Sequence, residues 1–286
     1  MSYQIITDSC CDFTKAQYAQ LNLTYAPLTM LYKGEEHASF TEDAELHAFY
    51  DGIRAGEMPT TSAVNPDGWA RVMEPVMKDG KDVLCLTFTS GLSTTHQSAV
   101  IAAEDLKEKY PAQKIVVVDT LCAALGQGLL VYLACQKRDA GYSLEELTAW
   151  VEENKLKLCH WVTVDDLNHL KRGGRVSSST AFVGGMLGIK PIIRVSDEGK
   201  LETVSKCRGR KAAMEYLANK LAEDGTDAET IFIAHGDCPE DAAALEKLCR
   251  SKCPGVKNVI KGYVGGVIGA HTGPGVLVVF FLGRHR

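Results

Sequence analysis

The sequence predicts an α/β protein of two domains, an N-terminal three-layer α/β/α domain with a parallel sheet and a C-terminal α+β domain with a mixed sheet. Three observations carry this expectation. The chain has 286 residues, beyond the size at which one hydrophobic core stops growing. In its first half, short β-branched runs alternate with helical patterns, as parallel βαβ units require. From about Lys155 the texture changes to strands joined in hairpin fashion, which a purely parallel sheet does not contain.

In order along the chain, Gln4 to Thr7, Val83 to Thr87 and Ile115 to Val118 read as buried strands, each followed by a helical pattern. Helices are expected near Thr14 to Leu21, Ala44 to Ala55, Asp67 to Lys78, Ser93 to Lys109, Leu125 to Ala140 and Leu144 to Glu153. Met30 to Ala38, turning near Gly34, reads as a small inserted hairpin. In the second half Leu156 to Val162, Ile189 to Val195 and Leu201 to Val204 read as strands, the last two joined across Asp197, Glu198 and Gly199. Further strands are expected at Ile231 to His235, Val259 to Tyr263, Val267 to His271 and Val276 to Leu282, with helices near Gly209 to Ala222 and Glu240 to Lys252. The boundary falls near residue 155, giving domains of residues 1–155 and 156–286.

Composition narrows the function. With 45% hydrophobic and 23% charged residues and a net charge of -5, the chain reads as globular and its charge does not suit nucleic acid as a partner. No apolar run approaches the roughly 20 residues of a membrane span, and Met1 to Asp8 lacks the regions of a secretion signal. A cytoplasmic protein is expected, with at most transient membrane contact. Its ten cysteines then read as reduced thiols. The spacings of Cys10 with Cys11 and Cys249 with Cys253 are not those of zinc sites, so no metal is expected. The phosphate-loop, nucleophile-elbow and H-E-x-x-H signatures are absent, and Gly126-Gln127-Gly128 lacks the third glycine of a dinucleotide loop. No cofactor and no catalytic residue are expected.

Ligands of open parallel sheets sit at strand-end loops, which singles out Thr7-Asp8-Ser9, Thr89 to Thr95, Asp119-Thr120 and the Thr60-Thr61-Ser62 cluster. Hydroxyls around Ser93, with the free N–H groups of a helix start, suit a carboxylate or phosphate. Helix capping explains one such residue but not four hydroxyls within six. Asp8 and Asp119 read as loop-fixing or capping groups rather than acid–base catalysts. His271 lies in His-Thr-Gly-Pro-Gly, where glycines admit close backbone approach and the imidazole can hold a carboxylate. Ala181 to Ile192 mixes large apolar residues with Gly184, Gly185 and Gly188. Such a mixture can wall a tunnel or simply pack a core.

Taken together, these motifs resemble the DegV family of bacterial fatty-acid-binding proteins along essentially the whole chain. The resemblance rests on Thr7-Asp8-Ser9 with Asp12, Thr60-Thr61-Ser62, the Ser90 to Ala99 stretch, Val164 to Leu167 with Leu170 to Arg175, Lys190-Pro191-Ile192, and His271 to Gly275. It implies that one long-chain fatty acid is held by its carboxylate on Thr61, Ser62, Ser93 and His271, with Thr94, Thr95 and Gly273 as secondary head-group candidates. It places the tail in the second domain, for which Phe182, Met186, Leu187, Ile192 and Ile268 are tunnel candidates. It further implies a partner, an ATP-dependent fatty acid kinase that forms an acyl phosphate for phospholipid synthesis, with Lys206, Arg208 and Arg210 as docking candidates. The chain departs from the family pattern at Thr94, His96 and Ala124. The rival readings are an enzyme acting on a small anionic substrate in the same cleft, with Asp8 or Asp119 as base, and a lipid-responsive sensor that binds a regulatory partner.

Overall fold

The computed structural model describes residues 2–176, 188–225 and 228–286. The first half contributes β1 (Tyr3–Asp8), α1 (Lys15–Gln20), β2 (Thr24–Ala26), β3 (Thr29–Tyr32), β4 (Glu35–Ala38), α2 (Asp43–Arg54), β5 (Thr60–Ser62), α3 (Pro66–Lys78), β6 (Asp82–Thr87), α4 (Thr95–Lys109), β7 (Ile115–Asp119), α5 (Leu125–Asp139) and α6 (Leu144–Asn154). The second half contributes β8 (Leu158–Thr163), α7 (Asn168–Arg172), β9 (Ile189–Val195), β10 (Leu201–Arg208), α8 (Arg210–Asp224), β11 (Thr230–His235), α9 (Pro239–Lys252), β12 (Asn258–Tyr263), α10 (Gly266–Thr272) and β13 (Leu277–Leu282). No helix among the described residues is long and apolar enough to cross a membrane.

Local sequence explains most of these elements. Thr14 with Gln17, and Ser143 with Glu146, form reciprocal capping boxes that start α1 and α6. Asn65 caps α3, which begins on Pro66, where a missing N–H costs nothing. All six residues of β6 are buried, so its centre, Val83 to Leu86, reads as a continuous apolar run rather than an alternation.

Three sheets result. In the first, ordered β2-β1-β6-β7, every pairing is parallel. The second is ordered β10-β9-β8-β13-β11-β12, antiparallel except for the β11–β12 pair, and is therefore mixed as expected. The β3–β4 hairpin is joined by β5 on its other side. Strands of three residues, such as β2 and β5, carry too little periodicity to be read from sequence.

One expected strand is a helix. Val267 to His271 belongs to α10, which starts after Gly265 and stops at Gly273, where φ is +72°. Apolar residues at 267, 268 and 270 fit one turn of helix as well as a short strand, so period alone does not separate the two. Tertiary packing decides it: a Cβ on Gly266 would lie 2.9 Å from the Met30 side chain, and one on Gly269 would lie 2.6 Å from the Tyr50 hydroxyl. The helix thus nests in a cluster of Met30, Tyr32, Phe49, Tyr50 and Ile53 from the first half.

One hydrophobic cluster runs through both halves. Leu129, Leu130 and Val131 of α5 are fully buried between Ile5 and Leu84 of the parallel sheet and Phe232 and Phe280 of the mixed one. That sandwiching explains why α5 carries no charged residue before Lys137.

Candidate functional site

A cavity of about 470 Å³ lies between the loop after β6, the start of α5, α10 and the inner face of the mixed sheet, a volume within the range of small-molecule sites. Its polar mouth includes Thr61, Ser62, Ser90, Ser93, Thr94, Arg175 and His271.

The strand-end aspartates set the loops around this mouth. Asp8 is fully buried; its Oδ2 accepts from the Phe88 amide at 2.7 Å and its Oδ1 from the Cys10 amide at 3.0 Å. Burial raises its pKa to about 6, against the pull of those two amides. Asp119 accepts from the amides of Ser90 and Leu121. Both therefore fix loops, as their positions predict.

The loop so anchored presents Ser93, whose Oγ lies 2.9 Å from Thr95 Oγ1 and accepts from the Thr95 amide at 3.2 Å. Thr95 itself is buried and orients Ser93 rather than lining the cavity. Thr94 lines the mouth and is exposed.

Across the mouth, Thr61 arrives on β5, in register with Met30 of β3, and its Oγ1 shares a 2.8 Å hydrogen bond with His271 Nε2. His271 stands on the last turn of α10. A Cβ on Gly173 would come within 2.3 Å of its Nδ1, so only glycine admits the ring there. Burial first, then the Arg175 and Arg172 charges, lower the imidazole pKa to about 4. It is neutral at neutral pH and acts as a hydrogen-bonding group. The positive charge at the mouth belongs to Arg175, whose Nε donates to the Leu92 carbonyl at 3.3 Å and whose guanidinium also donates to the Gly173 carbonyl. Sequence reasoning placed Arg175 in the family motif but not in the site. The available signal was the Lys-Arg-Gly-Gly-Arg run that closes α7.

Beyond the mouth the wall is apolar. Val276, followed on β13 by Val278 and Phe280, faces inward with period two, and Val162, Ile193, Val195, Val267 and Ile268 complete much of the surround. His160 also lines the cavity, buried and held neutral; its Nδ1–H donates to the Leu158 carbonyl and its Nε2 accepts from the Ala123 amide.

The structure redistributes several other expectations. Ile268 lines the cavity, but Ile192 packs on the opposite face of the sheet with Trp161, Leu217 and Leu221. One residue along a strand reverses the face, and its neighbour Ile193 takes the inward place. Gly273 closes α10 by donating to the Gly269 carbonyl at 2.8 Å and backs onto His169, so its amide is not turned to the cavity. Phe182, Met186 and Leu187 lie outside the described residues. Arg210 is tied to Asp241 and Asp165, and Lys206 and Arg208 sit exposed on β10 away from the cavity lining.

Chemically the mouth offers hydroxyls, a neutral imidazole and one guanidinium converging ahead of an apolar chamber. The Thr61–His271 pair superficially resembles a nucleophile with its base. An imidazole with a pKa near 4 is a weak base, however, and its Nδ1 side faces the Gly173 backbone rather than a carboxylate. Among the described residues, His47, Asp51 and Asp237 lie close enough to share an ion. Arg54 already occupies that group with salt bridges to both carboxylates.

The family model described as an uncharacterised protein of the DegV family matches residues 2–284. A DegV domain-containing protein of Clostridium perfringens is 46% identical, the alignment covering 98% of this chain and 97% of that one. Among solved structures, a DegV family protein from Thermus thermophilus described for its fatty acid binding superposes with a TM-score of 0.87 at 30% identity, covering 99% of this chain and 100% of that one. DegV from Bacillus subtilis, described as a fatty acid binding protein, gives 0.85 at 28% identity over 99% and 100%.

Proposed function

The chain belongs to the DegV family, and on that footing we propose that it binds one long-chain fatty acid, carboxylate at the mouth and tail in the apolar chamber. The observation that carries this reading is the polarity of the cavity: Thr61, Ser93, Arg175 and His271 meet at one end, and the wall beyond is built from β13, β9 and α10 side chains. Each buried methylene contributes about 0.8 kcal/mol, so the tail supplies affinity. The hydroxyls and imidazole orient the head group, and Arg175 balances its charge. We further propose that the chain catalyses nothing itself and, in the cytoplasm, presents the acid to a separate ATP-dependent kinase that forms the acyl phosphate. The weak basicity of His271 supports a carrier over an acyl-transfer enzyme.

Native mass spectrometry of the protein purified from bacteria, followed by lipid extraction of the same sample, tests the binding claim. A stoichiometric fatty acid released on unfolding is the expected result. A ligand-free mass after incubation with palmitic acid overturns it. For the second claim, ATP-dependent acyl phosphate must appear only when a kinase is added; turnover by this chain alone would restore the enzyme reading.

A further inference from the structure

The turn spanning residues 8–12 does not line the cavity, yet each arm of the head-group site is tied to it. Ser9 Oγ accepts from the Leu28 amide at 3.0 Å, immediately before β3, whose Met30 is registered opposite Thr61. Asp8 Oδ2 accepts from the Phe88 amide at the root of the loop that carries Ser93. Asp12 Oδ1 is directed at the backbone of Gly265, the residue that opens α10 and leads to His271. The fit is tight, since a Cβ on Gly265 would lie 2.4 Å from Asp12 Oδ1.

The turn is itself stiffly held. Asp8 Oδ1 caps it at Cys10, the Asp12 amide closes it onto the Ser9 carbonyl with Asp12 at φ +55°, and the Tyr18 hydroxyl donates to the Asp8 carbonyl. Ser9, Cys10 and Cys11 are buried. Starting a single helical turn needs one small polar cap. Two carboxylates with buried oxygens are costly to desolvate, and Asp12 Oδ2 is buried with no hydrogen-bond partner.

We propose that the 8–12 turn is the gauge of the head-group site: Asp8, Ser9 and Asp12 are positioning residues that hold Ser93, Thr61 and His271 at the separation a carboxylate requires. This rests on the fatty-acid reading above, and the test separates the two.

Affinities for palmitic acid and for methyl palmitate, which has the same tail without the anionic head, are measured by displacement of a fluorescent fatty acid. Wild-type protein is expected to prefer the acid. In Asp12→Ala that preference falls at least tenfold while ester affinity stays within about twofold, the His271 imidazole resonances shift, and Asp12→Asn, which keeps an oxygen directed at Gly265, restores both. Equal loss for acid and ester, or an unchanged ratio, overturns the gauge. Should Asp12→Ala fail to fold, Ser9→Ala, which leaves both carboxylates in place, decides by the same ratio. Wild-type protein that binds neither probe overturns the fatty-acid reading itself.

Discussion

His271 Nε2 lies 2.8 Å from Thr61 Oγ1, a bond between residues 210 positions apart that joins the second-half helix α10 to the first-half strand β5 and closes one side of the cavity mouth. Its two partners are uncharged at neutral pH, and the guanidinium of Arg175 supplies the local positive charge.

Removing either partner tests the head-group assignment. His271→Ala is expected to weaken fatty acid binding by about 1.5–3 kcal/mol, the range for a hydrogen bond to a charged group. Thr61→Val, which keeps the shape, is expected to cost less. Isothermal titration with palmitic acid measures both, and wild-type affinity in His271→Ala would remove the imidazole from the site.

The lowered pKa of His271 has a stability consequence with a definite sign. Unfolded, the imidazole takes up a proton near its ordinary value of 6.5; folded, only near 4. Its contribution is complete above about pH 6.5 and is lost as pH falls towards 4, because the unfolded state binds the extra proton in that window. Asp8, raised to about 6, acts in the opposite direction over part of the same range, so the pH profile of the wild type alone is not diagnostic. The informative quantity is the difference: His271→Gln should gain stability relative to wild type on acidification from pH 7 to 4, by up to about 3 kcal/mol. Urea denaturation at several pH values measures it, and a pH-independent difference would refute the assignment.

Gly173→Ala tests the close approach behind His271. The backbone there is ordinary, but the new Cβ would meet Nδ1 at 2.3 Å, so the ring must move away from Thr61. A loss of about 1–3 kcal/mol in affinity is expected, the usual scale of overpacking, with circular dichroism unchanged. Undiminished binding would show that the ring position is not critical.

Ala124 stands at φ 56° and ψ -152° at the start of α5, near a region that only glycine enters freely. It is held there because the neighbouring Ala123 amide donates to His160 and the Thr89 amide to the Cys122 carbonyl. Ala124→Gly is therefore expected to stabilise the fold by about 1 kcal/mol, seen as a modest rise in Tm. A fall in Tm would mean that packing of the lost methyl outweighs the strain.

Much of this protein was legible in its sequence. The runs at Gln4, Val83 and Ile115, with helices between them, read as a parallel sheet because strand and helix periods are local properties of the chain. The hydroxyls at Thr61 and Ser93 and the histidine in its glycine-rich setting also stood out, because their chemistry is carried by residue type. Tertiary structure decided the rest. Only packing against Met30 and Tyr50 turned Val267 to His271 from an ambiguous apolar run into a helix, and so aimed His271 at Thr61. Strand register alone put Ile193, not Ile192, in the cavity wall, since one step along a strand reverses the face. Arg175 came to line the cavity, and Asp8, Ser9 and Asp12 came to touch three separate segments around it, through contacts between distant parts of the chain. Periodicity records which face of an element is apolar, whereas the distances between elements arise only when those faces pack together.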